Sequence, residues 1–269
     1  MAGVSAAWLQ PARRMRLALG GWAPVLGLAI AWEVFARSGA VTPFMLPALS
    51  VVLERIWADA AGGDLLGQMG ATLYRALGGF AIAAAAGIGL GLSITRIRLV
   101  RWFFDPLISI GFPMPKIAFL PIVILWFGFY DLSKIFMIVF DAVFPVVTAT
   151  VAGASSVDRA LLWSARSLGA SEREVWRETV VPAALPQIFT GLQVALPIAL
   201  IVCIVTEMKM GGTGLGGAMM ERSRFADSPG VFAGILEIAV VGYLLVKGMA
   251  TVRRRLLIWH QESLPPSTA

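Results

Sequence analysis

Six long apolar runs, with one strongly polar stretch set between two of them, constrain this chain more than any other feature. The runs cover residues 17–36, 77–94, 103–127, 135–152, 188–205 and 231–250. As helices, each is about long enough to cross the roughly 30 Å of hydrocarbon in a bilayer. A 269-residue chain that is 58% hydrophobic and 14% charged, with a mean hydropathy of +0.80, carries more apolar surface than a soluble core of its size can hide. Lipid must solvate much of it. The expected fold class is therefore an all-α membrane protein of about six transmembrane helices. It should form one domain over residues 17–252, flanked by segments 1–16 and 253–269, because no internal repeat or low-complexity stretch divides it.

The basic residues set the orientation, since Lys and Arg accumulate in short cytoplasmic loops. Arg13, Arg14 and Arg16 precede the first run; Arg96, Arg98 and Arg101 follow the second. Arg159 to Arg177 follow the fourth, and Arg253, Arg254 and Arg255 follow the sixth. With alternating spans all four clusters share one side, so both termini are expected in the cytoplasm. The other side carries mixed charge, including Asp59, Asp131, Lys134, Glu207, Arg222 and Asp227. The first run is too long for a signal-peptide core, and Arg37 sits where a cleavage site should be free of charge, so retention of this segment is expected. A net charge of +6 without an aromatic-basic groove pattern excludes nucleic-acid binding. The single cysteine, Cys203, lies inside an apolar run and reads as a small core residue.

Prolines and glycines mark where helices break. After Pro43 and Pro47, Ser50 is placed to cap a short helix whose Leu53, Ile56 and Trp57 form an apolar stripe, suited to the outer membrane surface. Pro106, Pro113, Pro115 and Pro121 punctuate the third run, each removing a backbone donor. Irregular backbone survives in lipid only where protein or a water-filled cavity shelters it, which predicts this segment at the centre of the bundle beside any pathway.

The polar stretch, residues 158–186, has its own local logic. Arg159 to Leu168 favours a helix, and Gly169 can take the left-handed conformation that ends it. Ser171 and Glu174 match a capping box that starts a second helix. Pro182 and Pro186 are expected to stop that helix and launch the next span. The result is a helical hairpin that offers its charges to a partner.

No constellation of residues points to chemistry within the chain. The segment 211–217 is glycine-rich but lacks the Gly-Lys-Ser/Thr ending of a phosphate-cradling loop, and reads as a flexible outer loop or tight turn. His260 is the lone histidine, and no metal-ligand or nucleophile pattern is present. The informative ionisable groups are those inside apolar runs, because burying a charge there is costly. Asp141, flanked by Phe140 and Phe144, is either a pathway group or the structural partner of Lys116 or another helix. Glu237 in the sixth run fits a protonated interface position.

The residues Ala165-Arg-Ser-Leu-Gly169-Ala-Ser171, followed by Val181-Pro182 and Leu185-Pro186, resemble the EAA loop of bacterial ABC importer permeases. Gly169 and Pro182 keep that motif's spacing, while Trp163, Ser164, Thr179 and Val181 depart from it. Phe44-Met-Leu-Pro47, Pro115-Lys-Ile-Ala-Phe-Leu-Pro121, Leu125-Trp-Phe-Gly128 and Gly214-Leu-Gly216 are similar to the nitrate, sulfonate and taurine branch. The resemblance implies a type I importer permease fold in the bacterial inner membrane, working as a homodimer. It also implies two ATPase subunits that bind ATP-Mg, a periplasmic substrate-binding protein, and no cofactor or metal in this chain. Residues assigned to ATPase coupling are Ala165, Ser167, Leu168, Gly169, Ala170, Ser171, Glu174 and Pro182. Substrate-pathway candidates are Phe112, Met114, Lys116, Phe140, Asp141, Phe144 and Glu207, although the resemblance favours a structural role for Glu207. An ionised Asp141 would repel nitrate and suit taurine or a pyrimidine-like solute better. The alternatives are a channel or secondary transporter driven by Asp141, or a non-transporting membrane scaffold.

Overall fold

The computed structural model describes residues 10–258, with side chains from residue 23 onward. The cytoplasmic assignments for residues 1–9 and 259–269, His260 among them, lie outside the described residues. The element order is α1 (Gln10–Arg37), α2 (Leu49–Ala61), α3 (Asp64–Arg96) and α4 (Arg98–Gly111). A 3₁₀ turn (Lys116–Phe119) leads into α5 (Leu120–Phe127), then α6 (Asp131–Ser155) and α7 (Arg159–Ser167). The chain closes with α8 (Glu172–Glu174), a π-helical turn (Val175–Val180), α9 (Val181–Met210), α10 (Leu215–Arg224) and α11 (Ser228–Leu256).

Among the described residues, four helices are long and apolar enough to span a bilayer: α3, α6, the continuous α8–α9 rod and α11. A bent pair, α4 with the 3₁₀–α5 segment, turns by 95° between Gly111 and Lys116 and provides a fifth if it counts as one span. The first apolar run falls within α1. Large apolar side chains such as Leu107, Ile110, Leu125, Ile201, Val240 and Leu244 face outward. Such a surface needs lipid or protein against it.

The core is α3, α6 and α9, with α6 between the other two. Gly79, Ala83, Gly87 and Gly91 recur every four residues on α3, so they share one face. Opposite them on α6 stand Ile138, Val146 and Thr150, at the same spacing and in the same order, so the two helices run parallel. A Cβ on Gly79, Gly87 or Gly91 would lie 2.5–2.7 Å from these side chains. Small residues thus let the backbones approach closely, the usual source of helix association in lipid. On the other side of α6, Gly153 meets Ala184, and Gly191 meets Ala149 and Pro145, which makes α9 antiparallel to α6.

Three expectations change. The proline-punctuated run does not take the centre of the chain's fold: it flanks α6, because the centre belongs to helices whose small faces interlock. Ser50 does not cap α2, whose N-cap is Ala48 without a side-chain bond. Its hydroxyl donates instead to Glu33 at 2.9 Å and accepts from Arg37 at 2.9 Å, joining the end of α1 to α2. Pro182 and Pro186 do not stop a helix either. Val181 N–H bonds the Trp176 carbonyl, five residues back, so the helix widens just before Pro182 and continues to Met210. A wider turn accommodates a ring that has no N–H to donate.

The Leu53 and Trp57 side chains on α2 point outward, while Val52 is buried on the protein side. The exposed side chains leave an apolar stripe on the face of α2 turned away from the protein.

Gly87→Val should lower the unfolding midpoint in detergent, at an overpacking cost of about 1–3 kcal/mol. Gly89→Val, whose added Cβ meets nothing within 4 Å, should leave the midpoint unchanged. Scanning fluorimetry of the two variants makes the comparison.

Candidate coupling hairpin and central cavity

The polar hairpin is built from short-range rules. Asp158 caps α7 by accepting the Ala160 N–H at 2.9 Å. The helix ends where Gly169 adopts φ +86°, with Gly169 N–H bonded to the Arg166 carbonyl at 3.0 Å and Ala170 N–H to Ala165 at 3.1 Å. Space is open around Gly169, so conformation rather than crowding requires glycine there. The Ser171 hydroxyl receives the Glu174 N–H at 3.4 Å, and the Glu174 carboxylate receives the Ser171 N–H at 2.7 Å, a complete capping box. Arg166 then grips both carboxylate oxygens of Glu172, at 2.9 and 3.2 Å, across the turn. That clamp was missed in the sequence, where opposite charges six residues apart read only as polarity.

Among the described residues, nothing covers two apolar groups of the hairpin. Leu168 at its tip is 86% exposed, and Trp163 is 63% exposed. Ala165 and Ala170 are half-buried, while Ser167, Ser171 and Glu174 are exposed. A rigid, capped hairpin with an apolar tip is suited to insertion into a partner's groove. α8, the widened turn and α9 form one rod from Glu172 to Met210, so the second helix of the hairpin is continuous with a core helix.

Six of the seven pathway candidates lie around the bend that follows α4. Lys116, on the 3₁₀ turn, approaches Asp141 of α6 to 3.1 Å and donates to the Phe112 carbonyl at 2.9 Å. Its ammonium lies 4.6 Å from the Phe144 ring centre and 5.9 Å from that of Phe112, within cation–π range. Phe140 packs edge-on against Phe144, with centres 6.3 Å apart, and Met114 is half-buried on the same bend. Lys116 is buried, whereas Asp141 is 26% exposed.

Next to this cluster lies a cavity of about 340 Å³ between Phe112, the Pro145–Ala152 face of α6, and Gln187, Thr190 and Val194 of α9. Gln187, Thr148 and Thr190 were missed in the sequence. Their signal was spacing: Thr148 stands two turns after Asp141, and Gln187, Thr190 and Val194 fall on one helical face.

Glu207 is elsewhere, which removes it from the cavity group. It is fully buried at the opposite end of α9, where it accepts from Arg75 at 2.7 Å, Thr72 at 2.9 Å and the Gly216 N–H at 3.1 Å. Arg75 also bonds Asp131 at 2.8 Å and the Thr213 carbonyl, and Lys134 donates to the Gly211 carbonyl at 3.1 Å. The glycine-rich segment is thus a tight turn folded over this network. A Cβ on Gly214 would collide with the Glu207 carboxylate, and φ is +126° there. Glu237 instead faces Arg222 at 3.7 Å, and Arg222 also holds Asp59 of α2 at 2.8 Å.

Fold and site together define a class: a multi-pass α-helical membrane protein that carries an exposed, capped helical hairpin at one end of its bundle. Residues 85–257 match the family of binding-protein-dependent transport system inner membrane components, and the chain belongs to that family. It is 32% identical to the taurine transport system permease protein TauC of Escherichia coli over 95% of this chain and 94% of that protein. It is 33% identical to the putative aliphatic sulfonates transport permease protein SsuC of Bacillus subtilis, over 88% and 86% of the two chains. The formylaminopyrimidine transport permease protein ThiX of Halalkalibacterium halodurans is 31% identical, over 88% and 94%. Among solved structures, an amino acid ABC transporter chain superposes with a TM-score of 0.61 at 16% identity, covering 76% of this chain and 98% of that one. The MetNI methionine ABC transporter, in an inward-facing conformation, gives a TM-score of 0.55 at 18% identity over 76% and 95%. The fold is that of type I ABC importer permeases, and the protein is a permease subunit of an ABC importer rather than an enzyme; ATP is hydrolysed by a separate chain.

Glu207→Ala would strand Arg75, Thr72 and the Gly216 N–H, and should cost about 3–5 kcal/mol of stability. Asp131→Ala removes a carboxylate that is 51% exposed and should cost less than about 1 kcal/mol. Thermal unfolding of the purified variants separates the two.

Proposed function

We propose that this permease pairs with a second copy of itself and carries a small zwitterionic or sulfonate-like organic solute inward, released to it by a periplasmic binding protein. The hairpin centred on Gly169 faces the cytoplasm, as do both termini. Support comes from the arginine clusters after α3 and α6 and at the end of α11, which alternation of the helices puts at the hairpin's end of the bundle. Two ATPase subunits grip the two hairpins through Ala165, Ser167, Leu168, Gly169, Ala170, Ser171, Glu174 and Pro182. Closure of the ATPases on ATP swings the α8–α9 rods, and each rod moves its Gln187–Val194 face relative to α6. The cavity then alternates between inward and outward access.

The observation that carries the solute class is the Lys116–Asp141 pair at 3.1 Å, set among Phe112, Phe140 and Phe144 beside the cavity. Pairing changes the earlier electrostatic argument. An unpaired aspartate would repel a small anion, but with Lys116 against it the pair is close to neutral, so repulsion no longer decides between solutes. A solute with both an amine and a sulfonate can exchange its own charges for those of the pair, and the aromatic faces accommodate its carbon chain. Relatives named for taurine and for aliphatic sulfonates, similar over most of the chain, support the same class.

Two measurements test this reading. Gly169→Asp, in the assembled transporter, should keep the permease in the membrane but abolish solute-stimulated ATPase activity and uptake; normal uptake rejects the coupling assignment. Asp141→Asn should lower uptake of taurine about tenfold more than uptake of an alkanesulfonate without the amine, since one charged hydrogen bond is lost. An equal effect on both solutes makes the pair a structural one.

A further inference from the structure

A second cavity, of about 390 Å³, lies between the last turn of α3 and the widened turn that leads into α9. Arg96, Arg173 and Arg177 line it together with the Trp176 indole. The Arg96 guanidinium sits 5.7 Å from the Trp176 ring centre. Among the described residues, none of these arginines has a carboxylate within 4.0 Å, and two acids on the same helical segment are engaged, Glu172 by Arg166 and Glu174 by Ser171. Arg173 and Arg177 stand four residues apart on one helical face, where like charges repel. Three arginines therefore line one space, and among the described residues none of them has a carboxylate within 4.0 Å.

The other wall of the cavity is apolar: Leu92, Ile97 and Val181. These residues lie where the apolar run of α3 ends and that of α9 begins, which is the level of the bilayer interface. Tryptophan and arginine favour that level, and guanidinium groups bind phosphate in bidentate fashion. An open space lined by basic and by aliphatic side chains matches one kind of ligand, an amphiphile with an anionic head.

We propose that this cavity binds the phosphate headgroup of one anionic phospholipid, held by Arg96, Arg173 and Arg177, with its first acyl carbons against Leu92, Ile97 and Val181. The lipid then braces the root of the coupling hairpin against α3. This would make the transmission of force from the hairpin to α9 dependent on the charge of the surrounding bilayer.

Native mass spectrometry of the assembled transporter, titrated in detergent with phosphatidylglycerol or phosphatidylcholine, tests the assignment. The wild type should retain one phosphatidylglycerol per permease chain in preference to phosphatidylcholine. The Arg96→Gln/Arg177→Gln variant should bind it about tenfold more weakly or worse, and Arg96→Lys/Arg177→Lys should keep most of the affinity. Trp176→Leu, which leaves all three charges in place, should weaken binding by a smaller factor and serves if the double variant fails to assemble. Equal retention of the two lipids, or undiminished binding by the glutamine variant, overturns the proposal. Displacement of the lipid by millimolar inorganic phosphate would reassign the cavity to free oxyanions. Lipid binding by the permease alone that disappears on adding the ATPase would reassign it to the ATPase interface, and either result also overturns the proposal.

Discussion

Close approach of α3 and α9 to the two sides of α6 is the constraint on which the other features depend. In a bilayer, apolar side chains gain little by leaving lipid for protein, so helices associate mainly where their surfaces fit. Gly79, Ala83, Gly87 and Gly91 provide a shallow groove for Ile138, Val146 and Thr150, and Gly191 and Gly153 do the same between α6 and α9. Everything placed on α6 is positioned by these contacts. Asp141 and Phe144 lie between the Ile138 and Thr150 contacts, so they are presented to Lys116 by a helix held on both flanks.

Among the described residues, charge inside this bundle gathers around Glu207, around Lys116, and where Arg222 meets Glu237 and Asp59. At one end of the core, Arg75 and Glu207 satisfy one another together with Thr72, Asp131 and the backbone of the glycine turn. Near the bend after α4, Lys116 and Asp141 are paired, but the carboxylate keeps partial exposure. The Glu207 network joins α3, α6, α9 and the glycine turn, whereas the Lys116–Asp141 pair joins the bend after α4 to α6.

The hairpin links this core to the outside. Its local bonds, from the Asp158 cap to the Arg166–Glu172 clamp, keep it rigid without help from the rest of the fold. Its second helix is the beginning of a core span, joined through a widened turn that admits Pro182 without a break. The arginine-lined cavity sits beside that turn, where a bound anion would alter how the rod moves.

Much of this was legible in the chain itself, because it depends on short-range rules. Apolar length located the spans, Gly169 located the left-handed turn, and the three-residue separation of Ser171 and Glu174 located the capping box. Backbone sterics and local hydrogen bonds act within a few residues and leave a pattern that can be read directly. The relation of Lys116 to Asp141 was one of several open options, the removal of Glu207 from the pathway set was not decided, and Gln187, Thr148 and Thr190 went unnoticed. Hydropathy also started the second span at Leu77, since it could not show that Gln68, Thr72 and Arg75 turn inward to partners on distant helices. Pro182 was read as a stop because a proline by itself forbids an ordinary helical bond, and only the surrounding packing shows that a wider turn can carry the helix through. The sequence by itself determined the membrane class, the hairpin and its turn. Tertiary structure alone decided which charges meet and which faces enclose a cavity, because those contacts join residues far apart in the chain, 132 positions for Arg75 and Glu207, and no local rule specifies how separate helices pack.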